Sequence, residues 1–288
     1  MGKATAHKFG QMIGGLLEET MLKYLNPIAQ KHNLYLDYKH QRSARGKKKE
    51  VIWNDINDNK HKLDIVFEKN GSDTEVGQPL AFIEMAWRRY TKHSKNKAQE
   101  IQGAIIPLIA KYNKYSPFYG AVIAGEFTQP SIKQMESVGF RIVYFEFKTI
   151  IDAFKTADID VYWGEDTEDS LVLAKIEQYN KLNSTQKDGI IDKLIELNKE
   201  QLEEFVRKID EAVLRKIEYI RVFSLHGNCE ELPSVKEAYD YILSYDEENT
   251  TAPLVKYEIL IRYNNGDRIE AQFQEKTSAL AFLMEYQD

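Results

Sequence analysis

One cysteine, Cys229, in 288 residues excludes an intrachain disulfide framework and any multi-cysteine zinc site. No apolar run reaches the ~18 residues that a membrane span requires. Met1 to Gly10 lacks an apolar core followed by a small-residue cleavage site. A secretory signal and a membrane anchor are therefore not expected, and a reducing cytoplasm is the expected compartment. Disordered and collagen-like classes are excluded by what is present, since 43% of residues are apolar and 11% aromatic. The length suits one large domain or two smaller ones.

The net charge of −6 hides an asymmetry. Residues 1–120 carry 20 Lys and Arg against 12 Asp and Glu, a net of +8, and the remainder is net −14. Such a split reads either as a polyanion-facing half joined to an acidic one or as charge spread unevenly for solubility.

His7 to Asn33 has helical spacing, with Ile13, Leu17, Met21, Tyr24 and Ile28 on one face and Gly10, Gly14 and Glu18 on a second stripe. Leu34 to Lys39 reads as a short strand, followed by a basic stretch from Lys39 to Lys49. Val51–Asn54, Lys62–Glu68 and Leu80–Trp87 are strand candidates, and the Asn70-Gly71-Ser72-Asp73 turn predicts a hairpin between the last two. A helix is expected from Thr91 or Ser94 to about Tyr112, with Ala98, Ile101, Ile105 and Leu108 as its core face and Pro107 as a kink or interruption. Strand, helix and strand follow over Tyr119–Ala124, Gln129–Val138 and Arg141–Phe147, a β-α-β step that implies parallel neighbours. Residues 1–155 thus form one α/β (α+β) core. Residues 156–218 read as charged helices connecting two units. Residues 219–288 contain a twofold β-β-α repeat, with turns at His226-Gly227-Asn228 and Asn264-Asn265-Gly266-Asp267.

Asp64 and Glu84 stand out because each is an acid inside an apolar strand. A buried carboxylate is costly unless it is paired or bound to a cation. Antiparallel pairing of the two strands would set both side by side, and oxygen ligands of this kind suit Mg²⁺ or Mn²⁺. The bland alternative is that each joins a local network or lies at a strand edge. His7, His32 and His61 lack ligand spacing, and Trp53 and Trp87 suit the core.

With this order of elements around two acids, residues 8–150 resemble the PD-(D/E)xK nuclease superfamily, whose core is an αβββαβ restriction-endonuclease-like arrangement. The resemblance rests on Gly14-x-x-x-Glu18 in the first helix, Asp64, Glu84 and the helix-strand-helix-strand that follows. It implies Asp64 and Glu84 as metal ligands for Mg²⁺ or Mn²⁺, with Glu18 assisting through water or a second metal. The family's E-x-K would place lysine at position 86, which is Ala86. Strand alternation offers Arg88 as a substitute, and Lys97, on the next helix, offers another. Lys97 is the first choice. Arg42, Arg45, Lys47, Lys48, Arg89, Lys92 and Lys95 are the expected phosphate contacts. The expectation is a metal-dependent endonuclease cutting double-stranded DNA as a homodimer, in restriction or genome defence. The alternative is a decayed nuclease fold that serves as a DNA-binding or protein-interaction module.

Overall fold

A computed structural model describes residues 3–224, 228–248 and 254–287. The chain forms two compact units, 1–212 and 213–288, each mixed in helix and strand.

In the first unit the element order is α1 (Lys3–Lys31), β1 (Leu34–Tyr38), β2 (Val51–Asn54), β3 (Lys60–Leu63), β4 (Ile65–Lys69), β5 (Gln78–Arg88), α2 (Ser94–Lys111), β6 (Phe118–Gly125), α3 (Gln129–Ser137), β7 (Arg141–Glu146), α4 (Phe147–Phe154), α5 (Asp169–Asn180), α6 (Ser184–Leu197) and α7 (Lys199–Val213). Five strands form one sheet in the order β1-β4-β5-β6-β7. The first three pair antiparallel and the last three run parallel, so β5 is the strand at which the sheet changes character. The expected hairpin and β-α-β step are both present.

The β5 sequence explains its central place. Pro79, Ala81, Phe82, Ile83, Glu84 and Ala86 are all buried, the near-continuous burial of a strand covered on both faces. On one face Phe82 and Ala86 pack with Val66, Ala121 and Ile123 against Ala98, Ile101, Ile105 and Leu108 of α2 and Ile132 and Met135 of α3. α1 covers β5 and β1 with Phe9, Ile13, Leu17 and Met21, which are almost fully buried.

Three expectations need correction. The Lys62–Glu68 segment is two strands, because the chain bends at Asp64. Its first half pairs with β2 in a separate two-stranded ribbon, and its second half pairs with β1 and β5. The meander of the main sheet therefore uses β1 as its outer strand and leaves β2 out. Pro107 does not interrupt α2, which runs unbroken to Lys111. The helices of residues 156–218 do not simply bridge two units. α5 and α6 pack on α1, α6 packs on α4, and Val172, Ile190, Ile191, Leu194, Leu202, Phe205 and Ile209 are buried. Lys23 pairs with Asp192, and Lys31 and His32 pair with Asp210, which fixes α6 and α7 to α1.

The second unit comprises β8 (Ile217–Ser224), β9 (Asn228–Leu232), α8 (Val235–Ser244), β10 (Tyr257–Tyr263), β11 (Arg268–Phe273) and α9 (Lys276–Met284). The sheet order is β11-β10-β8-β9, all antiparallel, so the two β-β-α copies meet at β8 and β10. Ile220, Val222, Tyr257, Ile259 and Ile261 pack with Ala238, Ile242, Ala279 and Leu283 of the two helices. The turn expected at His226-Gly227 lies outside the described residues. The second turn is closed by Gly266, whose φ of 93° suits glycine.

Candidate functional site

The bend at Asp64 follows from its position between two strands that serve different sheets. Ile65 pairs with Ile83, and so the register brings Asp64 beside Glu84 and Met85. The Met85 N–H donates to Asp64 Oδ2 at 2.6 Å, which fixes the carboxylate at the edge of β5. Glu84 shares strand parity with Phe82 and Ala86, which pack toward α2, and is 8% exposed. Among the described residues its Oε1 has no hydrogen-bond partner.

The electrostatics follow from burial. Desolvation, reinforced by the charge of Asp64, pushes the Glu84 carboxyl up to about 8, against the opposing pull of Lys97. Asp64 is raised by burial and held back by the Met85 N–H and by Lys97 and Lys39. Glu18 on α1 is raised by its own burial and then by Asp64, with Lys39 acting in the other direction. Asp64, at the β3–β4 bend, thus acts on both Glu18 of α1 and Glu84 of β5. Among the described residues, no three His, Cys, Asp or Glu side chains converge into a metal cage. The donor set nevertheless fits a hard divalent cation. Two adjacent carboxylates, one with an unsatisfied buried oxygen, lack a positive partner at hydrogen-bond distance among the described residues.

The cations sort into two groups. Lys97 lies half-buried in the first turns of α2, with Nζ 3.2 Å from Glu100. Arg88 donates to its neighbour's carbonyl, Trp87 O, at 2.8 Å and lies 3.8 Å from Glu100. Glu100, an exposed acid that restrains both cations, went unnoticed in the sequence. Its i+3 spacing from Lys97 was the available signal. Lys39, which acts on both Glu18 and Asp64, stood in the sequence only as part of a basic loop. Lys47, Lys48, Lys92 and Lys95 are exposed, as phosphate contacts would need to be.

Arg42, Arg45 and Arg89 are not available in that way. Arg42 is 1% exposed and donates through Nη1 and Nη2 to Glu68 at 2.7 and 2.8 Å, while Nη1 also pairs with Asp37 at 2.8 Å. Arg45 donates to Asp37 and to the carbonyls of Tyr38 and His40. Arg89 donates through Nε and Nη2 to Trp163 O and lies over the Phe147 ring at 4.2 Å. All three guanidiniums are spent inside the fold. Planar, weakly hydrated groups tolerate such burial better than lysine, and composition alone does not separate an internal arginine from a surface one.

A cleft of about 760 Å³ begins beside this site. Its lining includes Met85, Ala86 and Lys97, Gly10 and Gly14 of α1, and Arg88, Lys92, His93, Trp87, Tyr90, Trp163 and Glu165.

No protein-family model and no curated protein matches the chain. Among solved structures, the crystal structure of a protein of unknown function, AF1548, aligns at 12% identity with a TM-score of 0.31, over 69% of this chain and 94% of that one. A likeness of that size assigns neither fold nor function.

Proposed function

We propose that the chain is a metal-dependent endonuclease that hydrolyses phosphodiester bonds of double-stranded DNA. The observation that carries this reading is the Asp64–Glu84 pair, with the buried unpartnered oxygen of Glu84 and the charge of Lys97 acting on both acids. The resemblance of the α-β-β-β-α-β order to the PD-(D/E)xK nucleases supports it. A restriction or related genome-defence role in the cytoplasm, carried out by a homodimer, is the biological setting that fits the resemblance, because symmetric cutting of a duplex needs two sites.

Asp64 and Glu84 would hold Mg²⁺ or Mn²⁺, which supplies a Lewis acid for a phosphate oxygen and lowers the pKa of a bound water. The Met85 N–H keeps Asp64 oriented before substrate arrives. Lys97 stabilises the charge that builds on the phosphate, and Arg88 flanks it. Glu18, its carboxyl raised, is the acid placed to take up a proton near Asp64. Lys47, Lys48, Lys92 and Lys95 hold the backbone without reading sequence.

The absence of lysine at position 86 has a packing counterpart. Ala86 is 5% exposed and its methyl lies in the core with α2, so the cation comes from α2 instead. The same substitution favours a second reading, a decayed fold that binds DNA without cutting it. Incubating the full chain with long duplex DNA and Mg²⁺ separates the two. Cleavage is expected, and Asp64→Ala and Glu84→Ala are each expected to reduce it at least about 10²-fold while the protein stays folded. Binding in a gel shift with no cleavage supports the decayed fold, and near wild-type rates in either variant reject the site.

A further inference from the structure

The cleft that begins beside the two carboxylates has the size of a nucleotide pocket. Its volume, about 760 Å³, falls in the range of pockets that enclose small organic ligands. Its walls are of three kinds. Trp87 and Tyr90 offer half-buried aromatic surface. Arg88, Lys92 and Lys97 bring cations suited to phosphate. The α1 wall carries Ala6, His7 and Gln11 together with Gly10 and Gly14, and a Cβ added at Gly14 would touch nothing within 4 Å.

Glu165 and the indole of Trp163 also line the cleft. The Trp163 ring is 1% exposed and held edge-on by Phe9 and Tyr90. Its Nε1 is buried with no partner among the described residues. Such an indole donor costs free energy unless an acceptor arrives. A nucleobase supplies ring acceptors, a flat face for the aromatics and a phosphate for the cations on the same molecule.

We infer that this cleft takes an unpaired DNA base next to the scissile phosphate, so that the enzyme acts on locally opened rather than fully stacked DNA. The inference rests on the nuclease reading for its substrate class. A base leaves the stack at the expense of pairing and stacking, and that expense is recovered by the pocket.

The test uses the full chain with three probes: the single strand dT8, an abasic strand of the same length and phosphate count, and a blunt duplex of twelve base pairs. Binding is read by fluorescence anisotropy. dT8 is expected to bind roughly 5- to 150-fold more tightly than the abasic strand, the gain from one stacked base. Gly14→Leu starts a side chain into the cleft from a Cβ that meets nothing within 4 Å, and is expected to abolish that preference while leaving abasic-strand affinity unchanged. Gly103→Leu on α2 makes the same glycine replacement at an exposed site where nothing is crowded, and should change neither affinity. Equal affinity for dT8 and the abasic strand overturns the base pocket, as does a dT8 preference that survives Gly14→Leu. In those cases Mg²⁺-dependent cleavage of long duplex DNA still upholds the nuclease reading, whereas its absence removes that reading separately.

Discussion

Lys95 and Lys97 stand two residues apart on α2 and are expected to differ widely in effect. Lys95 is exposed, whereas Lys97 is half-buried and its charge acts on both Asp64 and Glu84. Two residues on a helix are separated by roughly 200° of rotation, so they face opposite sides. Lys97→Ala should lose about 10²–10³ in single-turnover rate at saturating protein, the usual scale for a charge aimed at a developing anion. Lys95→Ala should lose little, and its loss should shrink as salt rises. Equal, small losses would move the role to Arg88.

Glu84 carries a second expectation at the same scale. Its folded pKa of about 8 lies above the ordinary 4.5, so the metal-free fold binds that proton more tightly than the unfolded chain. Its contribution is therefore fully present below about pH 4.5 and is lost as pH rises through 8, on the order of a few kcal/mol at most. Mg²⁺ or Mn²⁺ should offset the loss, so the rise in Tm on adding the ion should grow between pH 6 and pH 9. Glu84→Gln should flatten that dependence and raise the metal-free Tm at pH 9. A metal-induced rise that is the same at both pH values would exclude Glu84 as the titrating ligand. Arg42 supplies a contrast: Arg42→Met should cost about 3–5 kcal/mol in urea unfolding, because it strands buried Glu68 and leaves Asp37 to Arg45. A mere phosphate contact would leave stability unchanged.

The elements that position the site include one that looks like a spacer in sequence. α7 packs on β6 where Gly120 leaves room, since a Cβ there would lie 2.5 Å from the Phe205 ring. Phe205 and Phe118 meet edge to face at 5.0 Å, and Gln201 exchanges hydrogen bonds with the backbone of Tyr144 on edge strand β7. Gly120→Val should therefore destabilise the first unit by about 1–3 kcal/mol through overpacking. An unchanged unfolding midpoint would mean that α7 is as detachable as a linker. The helical stripes Ile190, Leu194 and Leu202, Phe205, Ile209 were legible in sequence, as was the core face of α2. Their partner was not, because an amphipathic stripe states that a face is buried and leaves open what buries it. The break of one apolar run into β3 and β4 was hidden for a related reason. Residues on either side of Asp64 are equally apolar, and only pairing with different partners separates them.

At the scale of the whole molecule, the second unit has its own core built from both copies of the repeat, with Ile220, Tyr257 and Ile261 almost fully buried. Residues 213–288 expressed alone should unfold cooperatively on heating, followed by circular dichroism. A featureless melt would show that the unit depends on the rest of the chain. If this acidic unit supports dimerisation or target recognition, deleting it should yield a monomer by sedimentation or change the cleavage pattern. A dimer with unchanged cutting would remove both roles. No helix among the described residues is long and apolar enough to cross a membrane.

The linear sequence by itself determined the alternation of helix and strand, the hairpin before β5, the parallel step after it and the repeat, because each is written in periodicity and turn residues within a short window. It also marked Asp64 and Glu84, since an acid in an apolar strand is visible without a partner. Only the tertiary structure decided that the two acids stand side by side, that Lys97 on α2 bears on both of them, and that Arg42, Arg45 and Arg89 are internal. Those outcomes depend on register and on which faces meet across tens of residues. A charge in sequence has a sign, and packing gives it a neighbour and a solvent.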